Sequence, residues 1–179
     1  MISLEEFGRF RFCVMPNPFD IANESILAIT NISKDPGEGY IPRAFYQGSE
    51  VRIVAKPDLP ISRYSIDLAS EVNKPELIEI SDFDKISMVA AKVLKLESLE
   101  FYERLELDLG ETFGLAMVQV QNLNPEVDLI GKSIIVITNL EPSKDEISKV
   151  RLISFSDFRG FVNPLFSSIW VPPGTRFSL

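Results

Sequence analysis

Hydrophobic positions along this chain either alternate with polar ones or run without interruption, and no stretch of ten or more residues carries helical spacing. In the second half the pattern predicts a long apolar strand at 86–95 and a half-exposed strand in which Leu105, Leu107 and Leu109 alternate with Glu106 and Asp108. Further strands are predicted at 113–120, 133–138 and 150–155. The run Ile134-Ile135-Val136-Ile137-Thr138 suits a buried strand, and Pro142, which has no N–H for a ladder, ends its exit loop. Asn124 followed by Pro125 predicts a short helical turn with Asn124 as its cap. The first half offers five more strands, at 10–15, 26–31, 40–45, 50–54 and 64–69. Proline-containing turns at 15–18, 34–37 and 56–60 separate several of them.

Five strands with a short helix between the third and fourth is the arrangement of an OB-fold, a five-stranded Greek-key barrel. The fold class expected is all-β, and weak self-similarity suggests two tandem OB-like barrels. Residues 7–14 can be laid on 83–90, 48–54 on 131–137, and 64–70 on 150–156, with a spacing that drifts from 76 to 83 to 86. Chance likeness between short β-rich segments is the other explanation. The polar stretch 71–79 is the best linker, which gives an OB-like domain over 1–75 and a second over 76–179 with an aromatic extension.

Composition narrows the chemistry. There is no His and one Cys, so intrachain disulfides, Cys/His zinc sites and His-dependent triads are excluded within one chain. Cys13 lies in an alternating pattern and reads as an ordinary strand residue. No apolar run approaches the ~18 residues of a membrane span and no signal peptide is visible, so a cytoplasmic location is expected. The net charge of −8 runs against a protein that lives on phosphate backbones, and residues 76–179, with ten basic and sixteen acidic side chains, are the more acidic part.

Four blocks in order carry a family resemblance: Asp82-Phe83-Asp84-Lys85-Ile86 leading to Val89-Ala90-Ala91-Lys92-Val93; Leu107-Asp108-Leu109-Gly110-Glu111; Leu129-Ile130-Gly131-Lys132; and Asn139-Leu140-Glu141-Pro142. Together they resemble the tRNA-binding domain found at the C-terminus of methionyl-tRNA synthetases, in related stand-alone proteins and in aminoacyl-synthetase cofactors. Val171-Pro172-Pro173-Gly174-Thr175-Arg176 is similar to the Pro-x-Gly turn near the end of family members. The resemblance implies an OB barrel, a non-enzymatic RNA-binding role with tRNA or another structured RNA as partner, and no cofactor or metal. It places the RNA-facing surface around the Asn139 exit and the strand after it. Ser148 matches the family's serine there, whereas Val150 and Arg151 replace its glycine and methionine, and Ser87 and Val89 replace the aspartate and arginine of its first strand.

The candidate RNA-binding residues are Asn139, Lys144, Ser148, Lys149, Arg151, Lys92 and Lys132. Lys144, Lys149 and Arg151 could form a local phosphate patch, against which stands a solvated face countered by Asp145 and Glu146. Phe101, Tyr102 and Phe113 are candidates for base stacking, with core packing the other role for Phe113. Gly131-Lys132-Ser133 lacks the P-loop's partner glycine and reads as a turn. The acidic series Glu97, Glu100, Glu103, Glu106, Asp108 and Glu111 lacks EF-hand spacing and reads as a solvated rim. The tail carries Phe158, Phe161, Phe166, Trp170 and Phe177, too much apolar surface to leave in water, and should pack on a barrel or a neighbouring chain. The alternative function is accordingly a protein-interaction module of the same fold that has lost RNA binding, docking a partner or a second copy through that tail.

Overall fold

The computed structural model describes residues 1–16, 25–32, 40–55, 64–67, 77–142 and 150–179. Helix α1 (Leu4–Gly8) leads into strands β1 (Phe12–Pro16), β2 (Ser25–Ile29), β3 (Arg43–Tyr46), β4 (Ser49–Val54) and β5 (Tyr64–Ser65). Helix α2 (Ile80–Phe83) leads into β6 (Met88–Ser98) and β7 (Glu103–Asp108), and the turn α3 (Gly110–Phe113) into β8 (Leu115–Val120) and β9 (Ser133–Ile137). The tail adds β10 (Arg151–Leu152), β11 (Ser154–Ser156), β12 (Val162–Pro164), β13 (Phe166–Ser167) and β14 (Arg176–Phe177). The protein is mostly β, as the pattern predicts. The proposed turn residues 17–18, 34–37 and 56–60, and residues 71–76 of the proposed linker, lie outside the described residues.

One antiparallel sheet spans both halves in the order β5-β1-β2-β4-β13-β9-β6-β7-β8, with β3 on β4, β10 on β9 and β14 on β6. Strand β9 and the first half of β6 lie at its heart and are buried on both faces. Val89, Ala91 and Val93 with Ile134 and Val136 point into a core completed by Leu105, Leu107, Leu109, Val118, Val120, Leu129 and Leu152. Met88 and Ala90 with Ile135 and Ile137 point the other way, into a second core shared with Phe7, Phe12, Leu27, Ile29 and Phe83. Burial on two faces is why these strands read as unbroken apolar runs, whereas β7, covered on one face, alternates. Each Ile or Val so covered contributes about 1.5–3 kcal/mol.

A register shift between Val93 and Lys95 marks where β6 bends to continue along β7. The strands then run β8-β7-β6-β9-β10 around the first core, consistent with an all-β barrel. The predicted strand at 150–155 divides into β10 and β11, because Leu152 belongs to one core and Ile153 to the other. At Asn124 the chain makes a side-chain-capped turn rather than a helix. The Asn124 Oδ1 accepts from Glu126 N at 3.0 Å, and its Nδ2 donates to Asn163 Oδ1 at 2.8 Å. Phe113 is 42% exposed at the end of α3, not a core residue.

The bonds around β9 recur around β2. Residues 25–32 read Ser-Ile-Leu-Ala-Ile-Thr-Asn-Ile and residues 133–140 read Ser-Ile-Ile-Val-Ile-Thr-Asn-Leu. Phe12 lies opposite Ile29 as Met88 lies opposite Ile137. Ile26 pairs with Val54 and Ile134 with Phe166, while Val54 and Phe166 pair with each other at the centre of the sheet. The leading segments also cross over, since Ile2 N donates to Asn139 O at 2.8 Å and Ile78 N donates to Asn31 O at 2.9 Å. Strands β2 and β5 lie on β1 as β9 and β14 lie on β6. Residues 17–24 connect β1 to β2, whereas β7, α3 and β8 stand between β6 and β9.

Candidate nucleic-acid interface

The exit from β9 is fastened by its asparagine. Asn139 Oδ1 accepts from Ser87 N at 2.9 Å and Nδ2 donates to Lys85 O at 2.7 Å, while Thr138 Oγ1 and Ser87 Oγ lie 2.6 Å apart. Both ends of the Asn139 amide therefore hold the turn that enters β6. Asn31 does the same work in the first half, with Oδ1 accepting from Arg11 N at 2.8 Å and Nδ2 donating to Arg9 O at 2.7 Å. The amide makes the same pair of bonds at both sites, each time to the backbone that enters the neighbouring strand, β6 for Asn139 and β1 for Asn31.

The other candidates fall at two ends of β9. Arg151 lies on β10 opposite Ile137, at the Asn139 end. Lys92 lies opposite Ser133 at the far end, beside the exposed Lys132, whose backbone O accepts from Val93 N at 3.0 Å. Four residues of strand, about 13 Å, separate the two ends. Lys144, Ser148 and Lys149 lie outside the described residues. Gly131 and Lys132 form the turn into β9, with Gly131 at φ 77°, a conformation that favours glycine.

Carboxylates share this surface with the cations. Across the β6–β7 ladder Lys92 faces Asp108, Lys95 faces Glu106, and Glu97 faces Arg104, to which it is bonded. The Arg104 guanidinium, chiefly through that hydrogen bond, holds the Glu97 carboxyl below the usual range. Asp108 also accepts from Gly110 N at 2.9 Å, and Glu103 accepts from Ser98 Oγ at 2.6 Å. The acidic series is thus an interlaced rim, and among the described residues no group of three His, Cys, Asp or Glu is placed to hold a metal ion.

A groove of about 670 Å³ opens at the β4–β13 junction, lined by Val54, Ser133, Phe166, Ser168, Ile169 and Trp170 together with Lys132, Glu126 and Asp128. Trp170 is 54% exposed and braced by Tyr46, whose ring meets it edge to face at 5.9 Å. Sequence reasoning grouped Trp170 with the packing aromatics of the tail. Phe177 is buried as expected, but Trp170 and Phe158 remain in solvent. Phe101, exposed, sits between β6 and β7, and Tyr102 is half-buried.

Next to the groove, Asp157 is fully enclosed. Burial works to raise its pKa, but hydrogen bonds from Asn163, Arg159 and the Phe161 N–H outweigh burial and hold it below the ordinary aspartate value. Arg159 also reaches Glu126 at 3.2 Å, so one guanidinium ties the β11–β12 hairpin to the 124–126 turn.

No family model matches the chain. Over 141 residues, 75% of this chain, it is 28% identical to a methionine–tRNA ligase of Methanoregula boonei. Over 92 residues, 49% of this chain, it is 32% identical to the methionine–tRNA ligase of Halalkalibacterium halodurans. Over those stretches the chain is homologous to methionine–tRNA ligases. It spans 21% and 14% of the length of these two proteins. Chaperone CsaA of Bacillus anthracis superposes over its whole length on 57% of this chain, with a TM-score of 0.50 and 22% identity, a likeness of fold. A MetRS-related protein of Pyrococcus horikoshii gives a TM-score of 0.47 and 26% identity over 56% of this chain and 97% of its own. Among the described residues no helix is long and apolar enough to cross a membrane.

Proposed function

We propose that this protein is a non-catalytic, cytoplasmic RNA-binding module whose partner is tRNA, built on an OB-fold barrel formed by β6 to β10. The observation that carries this reading is the homology to methionine–tRNA ligases over three quarters of the chain. The strand order β8-β7-β6-β9-β10 agrees with an OB barrel opened between its third and fifth strands. The RNA side combines Lys92 and Lys132 at one end of β9 with Arg151 at the other, and the remaining candidates Lys144, Ser148 and Lys149 lie outside the described residues. Asn139 positions the β6 entry for them.

We infer that the first half is a second copy of the same unit with a shorter connection between its first two strands. Its support is the repeated Ser-Ile-x-x-Ile-Thr-Asn segment, the twin amide locks and the crossed leading segments. By covering Met88, Ala90, Ile135 and Ile137 it occupies the face on which a separate partner chain would otherwise sit, so the chain is its own dimer. The test is fluorescence anisotropy of labelled unfractionated tRNA against the full chain at ~50 mM salt, with a double variant Lys132→Ala/Arg151→Ala. Saturable binding weakened in the variant supports the reading. A stable ribonuclease-insensitive complex with a protein, and no tRNA binding, replaces it with the interaction-module reading that the net charge of −8 favours.

A further inference from the structure

We propose that the groove at the β4–β13 junction is the seat of one unpaired nucleotide of the bound RNA, stacked on the Trp170 indole with its phosphate at Lys132. The inference rests on the RNA-binding reading and extends its surface from Lys132 off the barrel to Trp170. Its first support is the rigidity of an exposed aromatic. Ser168 N donates to Arg52 O at 2.8 Å and its Oγ accepts from Arg52 N at 2.9 Å, while Ser167 Oγ donates to Ile169 O at 2.6 Å. Tyr46 then braces the indole from one side, and Val171 is buried immediately after it. Trp170 is thus fixed in place yet left half in water, a platform that loses little entropy when a planar ring covers it.

The lining suits a nucleotide better than an apolar side chain. The groove has the volume of a small-molecule site, and its walls mix Phe166 and Ile169 with the Ser133 and Ser168 hydroxyls. Lys132 supplies the only ammonium among the groove's described lining residues, and Glu126 and Asp128 are acceptors suited to base N–H groups. Because carboxylates share the groove, stacking rather than counterion release dominates here, and the site contributes about one phosphate to the salt dependence.

Trp170 is the chain's single tryptophan, so its emission reports on this groove alone. The full chain is titrated with a mixed-sequence single-stranded RNA 12-mer and with a blunt-ended RNA duplex, following Trp emission and, separately, the anisotropy of labelled RNA. The single strand is expected to quench Trp170 saturably, at the midpoint given by anisotropy, and the duplex to leave it unchanged. Trp170→Ala is expected to weaken single-strand binding about five- to hundred-fold, and Trp170→Phe, which keeps a stacking ring and the Tyr46 contact, much less. Lys132→Ala should lower the slope of log affinity against log salt by about 0.7. Binding by anisotropy without quenching, and unchanged in Trp170→Ala, overturns this site while leaving the RNA-binding reading intact. Absence of binding by any RNA removes both, and quenching by a basic apolar peptide but not by RNA assigns the groove to a protein.

Discussion

Replacing each of the twin asparagines by alanine tests whether the two halves are held by one device used twice. Asn31→Ala removes two bonds of 2.7 and 2.8 Å at a residue only 4% exposed. Asn139→Ala removes bonds of 2.7 and 2.9 Å at a residue that is half-buried. A buried hydrogen bond deleted from one side costs about 1–3 kcal/mol, and solvent can replace part of that where the site is open. Asn31→Ala should therefore cost about 2–4 kcal/mol and Asn139→Ala about 1–2 kcal/mol. The assay is urea unfolding followed by circular dichroism, with the midpoint shifted and the slope unchanged if only stability has moved. The crossed segments add a second readout. Ile2 and Ile78 each donate to the backbone of the asparagine in the other half, so each variant should speed amide exchange at the opposite leading segment. A cost under ~0.5 kcal/mol in either variant, or exchange faster only within the mutated half, would refute the equivalence.

Further outcomes are expected elsewhere in the molecule. A Cβ added at Gly174, which has φ 89°, would lie 2.7 Å from the Leu109 carbonyl O, so Gly174→Ala should lose about 2 kcal/mol or more and loosen the tail, seen as a lower Tm and faster proteolysis after residue 170. Asp157 has a folded pKa below its unfolded value, so its contribution is present above about pH 4 and lost as pH falls through the folded value. Asp157→Asn should be less stable than the parent at pH 7 by about 1–2 kcal/mol and lose less than the parent on acidification, as measured by urea midpoints from pH 6 to pH 2.5. On the proposed reading of the first half as an internal copy, sedimentation equilibrium should return the mass of one 20.2 kDa chain, and a tight dimer would contradict that reading.

Local pattern made the strands legible because each apolar run answers to burial on one face or two. The short strands β12 to β14 left no such trace, since pairs of two or three residues have no period to read. Ser25–Ile29 and Ser133–Ile137 are alike in sequence, and each runs into a Thr-Asn exit. Glycine marks only a turn, whereas the Thr-Asn exit carries the bonding pattern. The Asn139 side chain, a candidate RNA contact by sequence, is bonded to the protein's own backbone at Ser87 and Lys85. The Trp170 groove was not legible, because it is assembled from β4, the 126–133 loop and β13, which only the joined sheet brings together.

The most direct test of the whole account is the affinity of the full chain for tRNA measured from ~50 to 300 mM salt. The account requires saturable binding at the low end and a linear fall of log affinity with log salt, its slope reduced when Lys132 and Arg151 are removed. A chain that binds no tRNA at ~50 mM salt, or binds it with an affinity indifferent to both salt and those two cations, would contradict it.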